Sequence, residues 1–379
     1  MYTSVINNCR RIDRHRYKSL SNCKKETPNC KIIINMLLRT SSILCRRIPL
    51  YYRQHNNVIR QKICYSSSSS SSSSSSIPSL VTNSDQILSL KLENMPSNAL
   101  TETKCLFKDG VLTIQMNRPE KLNGWTMKMM SGLRDLFINA AEEPKVQVVI
   151  LTGSGEYYCA GVNLSAVMKP MSPKTLHGLI CKQNQALFDM FLDFPKPIIA
   201  AVNGPAIGAS VTSAILCDAI VCTDNSTFST PFYKLGVPPE GCSSVHFPRI
   251  FGEHNAERMM GKEGFIPTAE EAVELGFVHS IVSSSDGHDK LLKASCELAS
   301  TWIEEGKGRE IGPLKGGADV KEEFKQVNVI ESKELADCFF REEFLEGQRA
   351  FLASRGKSQP ALMFSILKWT RPIWKHMLP

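Results

Sequence analysis

Several features that would class a chain quickly are missing from this one. Its 13 cysteines include no C-x-x-C pair, and no histidine stands at zinc spacing. A disulfide framework and a structural zinc site therefore do not organise it, and reduced thiols in a non-secretory compartment are expected. There is no G-x-x-x-x-G-K-[ST] phosphate loop. Gly153-Ser154-Gly155 follows an apolar run, but Tyr158 occupies the third glycine position of a dinucleotide fingerprint, which rejects that motif. Gly241-Cys242-Ser243-Ser244 lacks nucleophile-elbow spacing. Cys159 and Cys242 have no histidine placed to act as their base, so both read as small buried hydrophobes.

Acidic residues are nearly absent from the first 65 positions. That stretch holds 14 Lys or Arg against Asp13 and Glu26, a balance of +12 in a chain whose total is +8. The other 314 residues therefore carry −4, which argues against a polyanion-binding body. From Met36 to Tyr65 there is no acid at all, and Arg is interspersed with Leu and Ile. This is the composition of a mitochondrial transit segment, with a basic nucleic-acid-binding arm as the alternative. Its apolar runs are short and broken by Arg, so neither a secretory signal nor a membrane span fits. Eleven serines, Ser66 to Ser76, then form a stretch that cannot bury apolar surface, a linker composition.

The rest of the chain, 42% apolar overall, reads as globular. Strands are predicted at 111–116, 146–151, 197–202 and 219–223, with helices at 126–141, 173–193, just after Pro205, 290–305 and 333–354. Alternation of this kind implies an α/β domain. The organisation is a basic leader at 1–65, a Ser-rich linker at 66–103, a core at 104–280, a helical region at 281–356 and a tail of unassigned role at 357–379.

Two small-residue turns follow strands: 158–164, Y-C-A-G-V-N-L, and 203–210, N-G-P-A-I-G-A-S, the second leading into a helix. Small residues let a ligand approach the main chain, and a helix start offers free N–H groups to negative charge. Two such groups converging on one oxygen would form an oxyanion hole; tight turns and close helix packing would account for the same glycines. A third segment, T-P-F-Y-K-L-G-V-P-P-E-G-C-S-S (230–244), sets Glu240 among Pro, Gly, Phe and Val. Poor solvation there would raise its pKa towards the range that moves protons at neutral pH. A surface turn with Glu240 in water is the plainer reading of those residues.

N-R-P-E-K-L-N-G-W (117–125), Y-Y-C-A-G-V-N-L (157–164), K-P-I-I-A-A-V-N-G-P-A-I-G-A (196–209) and C-D-A-I-V-C-T-D (217–224) resemble, in order and spacing, the crotonase or enoyl-CoA hydratase/isomerase superfamily. P-P-E-G-C-S-S is similar to its delta-3, delta-2 enoyl-CoA isomerase branch. The resemblance, from about 104 to 356, implies a spiral of ββα units with C-terminal helices that mediate trimerisation. It implies oxyanion-hole amides at Val162 and Ala209, an acyl-CoA-binding loop of Ala160, Gly161, Val162, Asn163 and Leu164, and one acid/base at Glu240. Thr212 and Phe232 fall where hydratases of the family carry two glutamates, which disfavours hydration. The implied reaction is isomerisation of 3-enoyl-CoA to trans-2-enoyl-CoA. Thioester hydrolysis, weak hydration or a non-catalytic acyl-CoA-binding scaffold are the alternatives. No metal or redox cofactor is implied, coenzyme A being part of the substrate. The expected partners are a fatty acyl-CoA and further copies of the chain, as a homotrimer or a dimer of trimers. The expected address is the mitochondrial matrix, with the peroxisome as the alternative, since familiar peroxisomal relatives end in S-K-L and this chain reads Met377-Leu378-Pro379.

Overall fold

Asp109 and Gly110 both take positive φ, 49° and 82°, the left-handed pair that closes a two-residue hairpin with the right twist. They join β1 (Thr103–Lys108) to β2 (Val111–Met116) in antiparallel register, with Phe107 opposite Leu112. The computed structural model describes residues 101–163, 171–309 and 312–378, all within the unit that spans residues 76–379. The predicted leader (1–65), nearly all of the linker and Leu164 lie outside the described residues.

From β2 onward the sheet is parallel. β3 (Val148–Gly153), β4 (Ile198–Val202), β6 (Ala219–Thr223) and β8 (Ser280–Val282) complete the order β1-β2-β3-β4-β6-β8. A separate two-stranded piece pairs β5 (Ala206–Ile207) with β7 (Phe228–Ser229). Strands β2, β3, β4 and β6 are buried throughout, because helices cover both faces; that is why β3, β4 and β6 read as largely apolar runs, whereas β2 alternates in sequence and buries its Thr113 and Gln115 as well.

Val148, Ile150, Ile199, Ala201 and Val221 face helix α7 (Gly287–Glu304) through its Leu291, Ala299 and Trp302. The opposite face, through Ile114, Leu151, Ala200 and Val202, belongs to the main core with helices α1 (Met127–Glu142), α2 (Pro173–Asp193), α3 (Ala209–Ile215) and α5 (Ser243–Met260). Two short helices, α4 (Phe232–Leu235) and α6 (Ala269–Glu274), complete this part. Helix starts follow local chemistry: the Thr126 side chain accepts from Met129 N, and the Ser172 side chain accepts from Thr175 N with Pro173 in the first turn. Asp218 of C-D-A-I-V-C-T-D accepts from Ile198 N at 2.8 Å and pairs with Arg309 at 3.3 Å, so this motif ties the starts of β4 and β6 together.

The C-terminal region corrects one expectation. The helix predicted at 333–354 is two helices, α8 (Ala318–Phe339) and α9 (Glu342–Ser354), separated by an extended Arg341 (φ −73°, ψ 147°). The apolar pattern runs straight through the break, which is why periodicity missed it. The bend brings Phe339 and Phe344 face to face, 4.5 Å apart and 8° from parallel; five residues apart on one straight helix they would point about 140° away from each other. The tail left without a role at 357–379 contains α10 (Ser358–Trp374). Its Phe364, Leu367 and Trp374 join Leu176 and Ile180 of α2 and Phe339 of α8 in a second apolar cluster, where Trp374 meets Phe340 edge-on at 5.4 Å. No helix of the described residues is long and apolar enough to cross a membrane.

Candidate active site

The two small-residue turns are laced together backbone to backbone. Gly161 has φ +80°, and a Cβ on it would lie 2.6 Å from the carbonyl oxygen of Ile207, so glycine is required there on both counts. Ile207 N donates to Cys159 O at 3.0 Å. The Ser210 hydroxyl donates to Cys159 O at 2.9 Å and accepts from Ile207 N at 2.8 Å. On the other side, Trp125 N donates to Gly161 O (2.8 Å) and Asn163 N donates to Trp125 O (2.9 Å). Two asparagines of the quoted motifs secure the neighbouring loops. The Asn123 side-chain amide donates to Ser154 O and Tyr157 O, and that of Asn203 donates to Gly155 O, each bond 2.8 Å. Cys159 is fully buried, and burial pushes its thiol up to about 12; it packs, as expected, and is no nucleophile.

This lacing leaves the amides of Val162 and Ala209 without an acceptor among the described residues, both on the wall of one cleft. Ala209 opens α3, where an N–H is unspent by helix geometry. The cleft encloses about 880 Å³, its open mouth included. Ala160, Gly161, Val162, Ala209 and Glu240 all line it, so residues scattered over 80 positions meet in one place. Asn163 does not: it is exposed and bound through its backbone to Trp125. The remaining wall is largely apolar, including Met130, Leu187, Phe232, Leu335 and Phe339.

Glu240 is the only ionisable side chain among the described residues lining the cleft. It sits half-buried in the turn between α4 and α5 and lines the cleft. Burial raises its pKa to about 7; a hydrogen bond from Asn184 opposes that rise, and the nearby Glu331 carboxylate adds to it. The surface-turn alternative is therefore set aside. Asn184 Nδ2 donates to Glu240 Oε2 at 2.7 Å. Thr212 is buried, its hydroxyl donating to Ala209 O at 3.2 Å, and Phe232 contributes a ring to the wall. Neither of these positions supplies a carboxylate. Among the described residues no group of three or more His, Cys, Asp or Glu could hold a metal ion.

Sequence reasoning missed two residues of this arrangement. Asn184 lies on the buried stripe of α2 between Ile180 and Leu187, and a polar amide on an apolar helix face was the signal available. Glu331 of α8 is 3% exposed and carried no signal at all, since its partners are 87 and 89 residues away.

The enoyl-CoA hydratase/isomerase family profile matches residues 106–355. Enoyl-CoA delta isomerase 3, peroxisomal, of Mus musculus is 30% identical over 66% of this chain and 78% of its own length. Enoyl-CoA delta isomerase 2 of Rattus norvegicus is 38% identical over 46% of this chain and 45% of its own length. Carnitinyl-CoA dehydratase of Salmonella typhi is 29% identical over 68% and 97%. Among solved structures, enoyl-CoA hydratase of Bacillus halodurans superposes with a TM-score of 0.58 at 23% identity, over 66% of this chain and all of that one, a likeness of fold. Strand order, laced turns and sequence match agree, and the chain belongs to the enoyl-CoA hydratase/isomerase family.

Proposed function

We propose that the protein isomerises 3-enoyl-CoA thioesters to trans-2-enoyl-CoA, with Glu240 as the only acid/base. The observation that carries this reading is one carboxyl group of raised pKa in an apolar cleft also lined by two residues whose amides have no acceptor among the described residues. The thioester acidifies carbon 2, and Glu240 takes a proton there. Charge moves through the dienolate to the thioester oxygen, which the amides of Val162 and Ala209 stabilise. Protonated Glu240 then delivers the proton to carbon 4, leaving the double bond between carbons 2 and 3. Asn184 holds Oε2, leaving Oε1 to carry the proton. A base poised near neutrality exchanges protons in both directions at little driving force, which suits one residue acting twice. No metal or redox group enters this scheme, and coenzyme A arrives as part of the substrate.

A second reading, addition or removal of water, is favoured by the likeness to carnitinyl-CoA dehydratase. Against it stands the single carboxylate among the described residues that line the cleft, with Thr212 and Phe232 at the positions where the family resemblance places the hydratases' two glutamates. The test is conversion of 3-hexenoyl-CoA and 3-decenoyl-CoA by wild type and Glu240→Gln, with 2-enoyl-CoA hydration and thioester hydrolysis followed in parallel. Isomerisation lost in the variant is the expected result. Turnover surviving in Glu240→Gln moves the base elsewhere. A hydrated or hydrolysed product as the main outcome replaces the reaction, and binding without turnover makes the protein a scaffold.

The address and assembly follow the same proposal. The acid-free segment 36–65 supports mitochondrial import, and mass spectrometry that finds residues 1–60 intact on the native protein would reject it; the peroxisomal relative keeps the other address in play. Leu362, Ile366, Trp369 and Ile373 expose 52–82% of their surface along one side of α10, which supports a homo-oligomer, read by sedimentation.

A further inference from the structure

Gly241 and Cys242, directly after the base, are consecutive residues in the left-handed region, with φ 67° and 64°. A Cβ at Gly241 would sit 2.4 Å from the Phe188 ring and 2.7 Å from Thr212 Oγ1. Cys242 carries a Cβ in a conformation such residues avoid, so something outside the turn must hold it. Successive left-handed residues at the head of a helix turn their amides inward and form a concavity that suits an anion.

The anion is supplied by the chain itself. Glu331 of α8 reaches across, its Oε2 2.6 Å from Cys242 N and its Oε1 3.0 Å from Ser244 N. The same helix takes a second grip, Cys242 Sγ donating to Phe324 O at 3.2 Å. On the near side the Ser243 hydroxyl donates to Glu240 O at 2.7 Å. Glu331 is not among the residues that line the cleft.

We propose that Glu331 is a positioning residue for the Glu240 base: its carboxylate, seated on the amides of Cys242 and Ser244, fixes the strained turn that aims Glu240 into the cleft and presents a like charge that helps Glu240 hold its proton. This rests on Glu240 being the base, as proposed above. Other charged groups around the pair are already engaged or more distant in role. On α2, Asp189 accepts from Asn328 and Gln185. On α5, Arg249 is paired with Glu323, and His246 is kept neutral by burial, which lowers its pKa to about 4. Glu334 lies on α8 itself and acts on Glu331. Burial raises the proton affinity of both Glu331 and Glu240. Two amides and a helix start favour the charged form of Glu331 more than one side-chain amide favours that of Glu240, so the two titrate as a coupled pair with Glu240 keeping its proton to the higher pH.

The experiment compares wild type, Glu331→Gln, Glu331→Asp and Glu240→Gln as full-length proteins on 3-hexenoyl-CoA, with kcat, KM and the pH profile of kcat/KM. Glu331→Gln keeps the shape, loses the charge and turns an NH2 group towards an amide. Its kcat is expected to fall on the order of 10- to 100-fold at little-changed KM, a misplaced base rather than a lost binding contact. The acid limb of its profile moves to lower pH, because a like charge beside Glu240 has gone. Glu331→Asp keeps the charge and withdraws it by one methylene, so kcat falls while the limb stays. A folded Glu331→Gln with wild-type kcat and an unmoved limb overturns the proposal, as does a lowered melting temperature as its only effect. If Glu331→Gln does not fold, Glu331→Asp decides, and wild-type kcat in that variant overturns the proposal. Turnover surviving in Glu240→Gln instead removes the base assignment on which the proposal stands.

Discussion

Replacing Glu240 by glutamine should make the protein more stable while abolishing turnover, and the gain should depend on pH. The carboxyl is raised from 4.5 to about 7 in the folded state by burial. Between these values the folded chain keeps a proton that the unfolded chain releases, so wild-type stability falls as pH rises through about 4.5 to 7 and then levels off. A shift of this size corresponds to about 3 kcal/mol at most, and coupling to Glu331 brings the expected figure to roughly 2 kcal/mol. Glutamine cannot ionise and keeps an oxygen for Asn184, so the variant does not lose stability in that window. Urea unfolding at pH 5 and pH 8.5 reads the effect: near-equal stabilities at pH 5, and a variant ahead by roughly 2 kcal/mol at pH 8.5. A variant that matches or trails wild type at both pH values would refute the reasoning, because Glu240 would then be ordinarily solvated.

Three further outcomes follow from the same geometry. Gly161→Ala places a Cβ against Ile207 O in a left-handed residue, spreading the two laced turns; kcat should fall on the order of 10²-fold, the loss of one oxyanion donor, and steady-state kinetics with kcat unchanged would dismiss the two-turn hole. Asn184→Ala removes the bond that favours charged Glu240, so the Glu240 pKa, already raised to about 7 by burial, rises further and the acid limb of kcat/KM should move to higher pH than in wild type; an unmoved limb in a pH–rate profile counts against Asn184 as a partner of the base. Leu335→Trp narrows the apolar wall; at about 0.8 kcal/mol per displaced methylene, kcat/KM for 3-decenoyl-CoA should drop on the order of 10- to 100-fold with that for 3-hexenoyl-CoA little changed, and equal losses on both substrates would place the acyl chain elsewhere.

The position of the base explains why the turn around it is built against local preference. A carboxyl group useful as a base at neutral pH must be poorly solvated, and poor solvation destabilises its charged form. The chain meets that with a turn containing two left-handed residues, closed from α2 by Asn184 and from α8 by Glu331. Helix α8 therefore both walls the cleft, through Leu335 and Phe339, and anchors the residue that acts in it.

Local order was legible in the residues alone. Strands buried on both faces announced themselves as the apolar runs at 146–151 and 197–202, where the structure has Val148–Gly153 and Ile198–Val202, and α2 occupies the predicted 173–193 because Ser172 and Pro173 start it and Pro195 lies just beyond it. Gly161, Gly208 and the apolar setting of Glu240 marked three candidate segments, since a turn's conformational demands and a side chain's immediate neighbours are written in adjacent positions. Tertiary structure alone decided that these segments face one cleft, that the chain bends at Arg341 where its apolar pattern does not, and that Asn184 and Glu331 hold the base turn. Periodicity and propensity act over a few residues, whereas a hydrogen bond across 56 or 89 positions depends on which helices pack together. That packing is settled only when the whole apolar surface is buried at once.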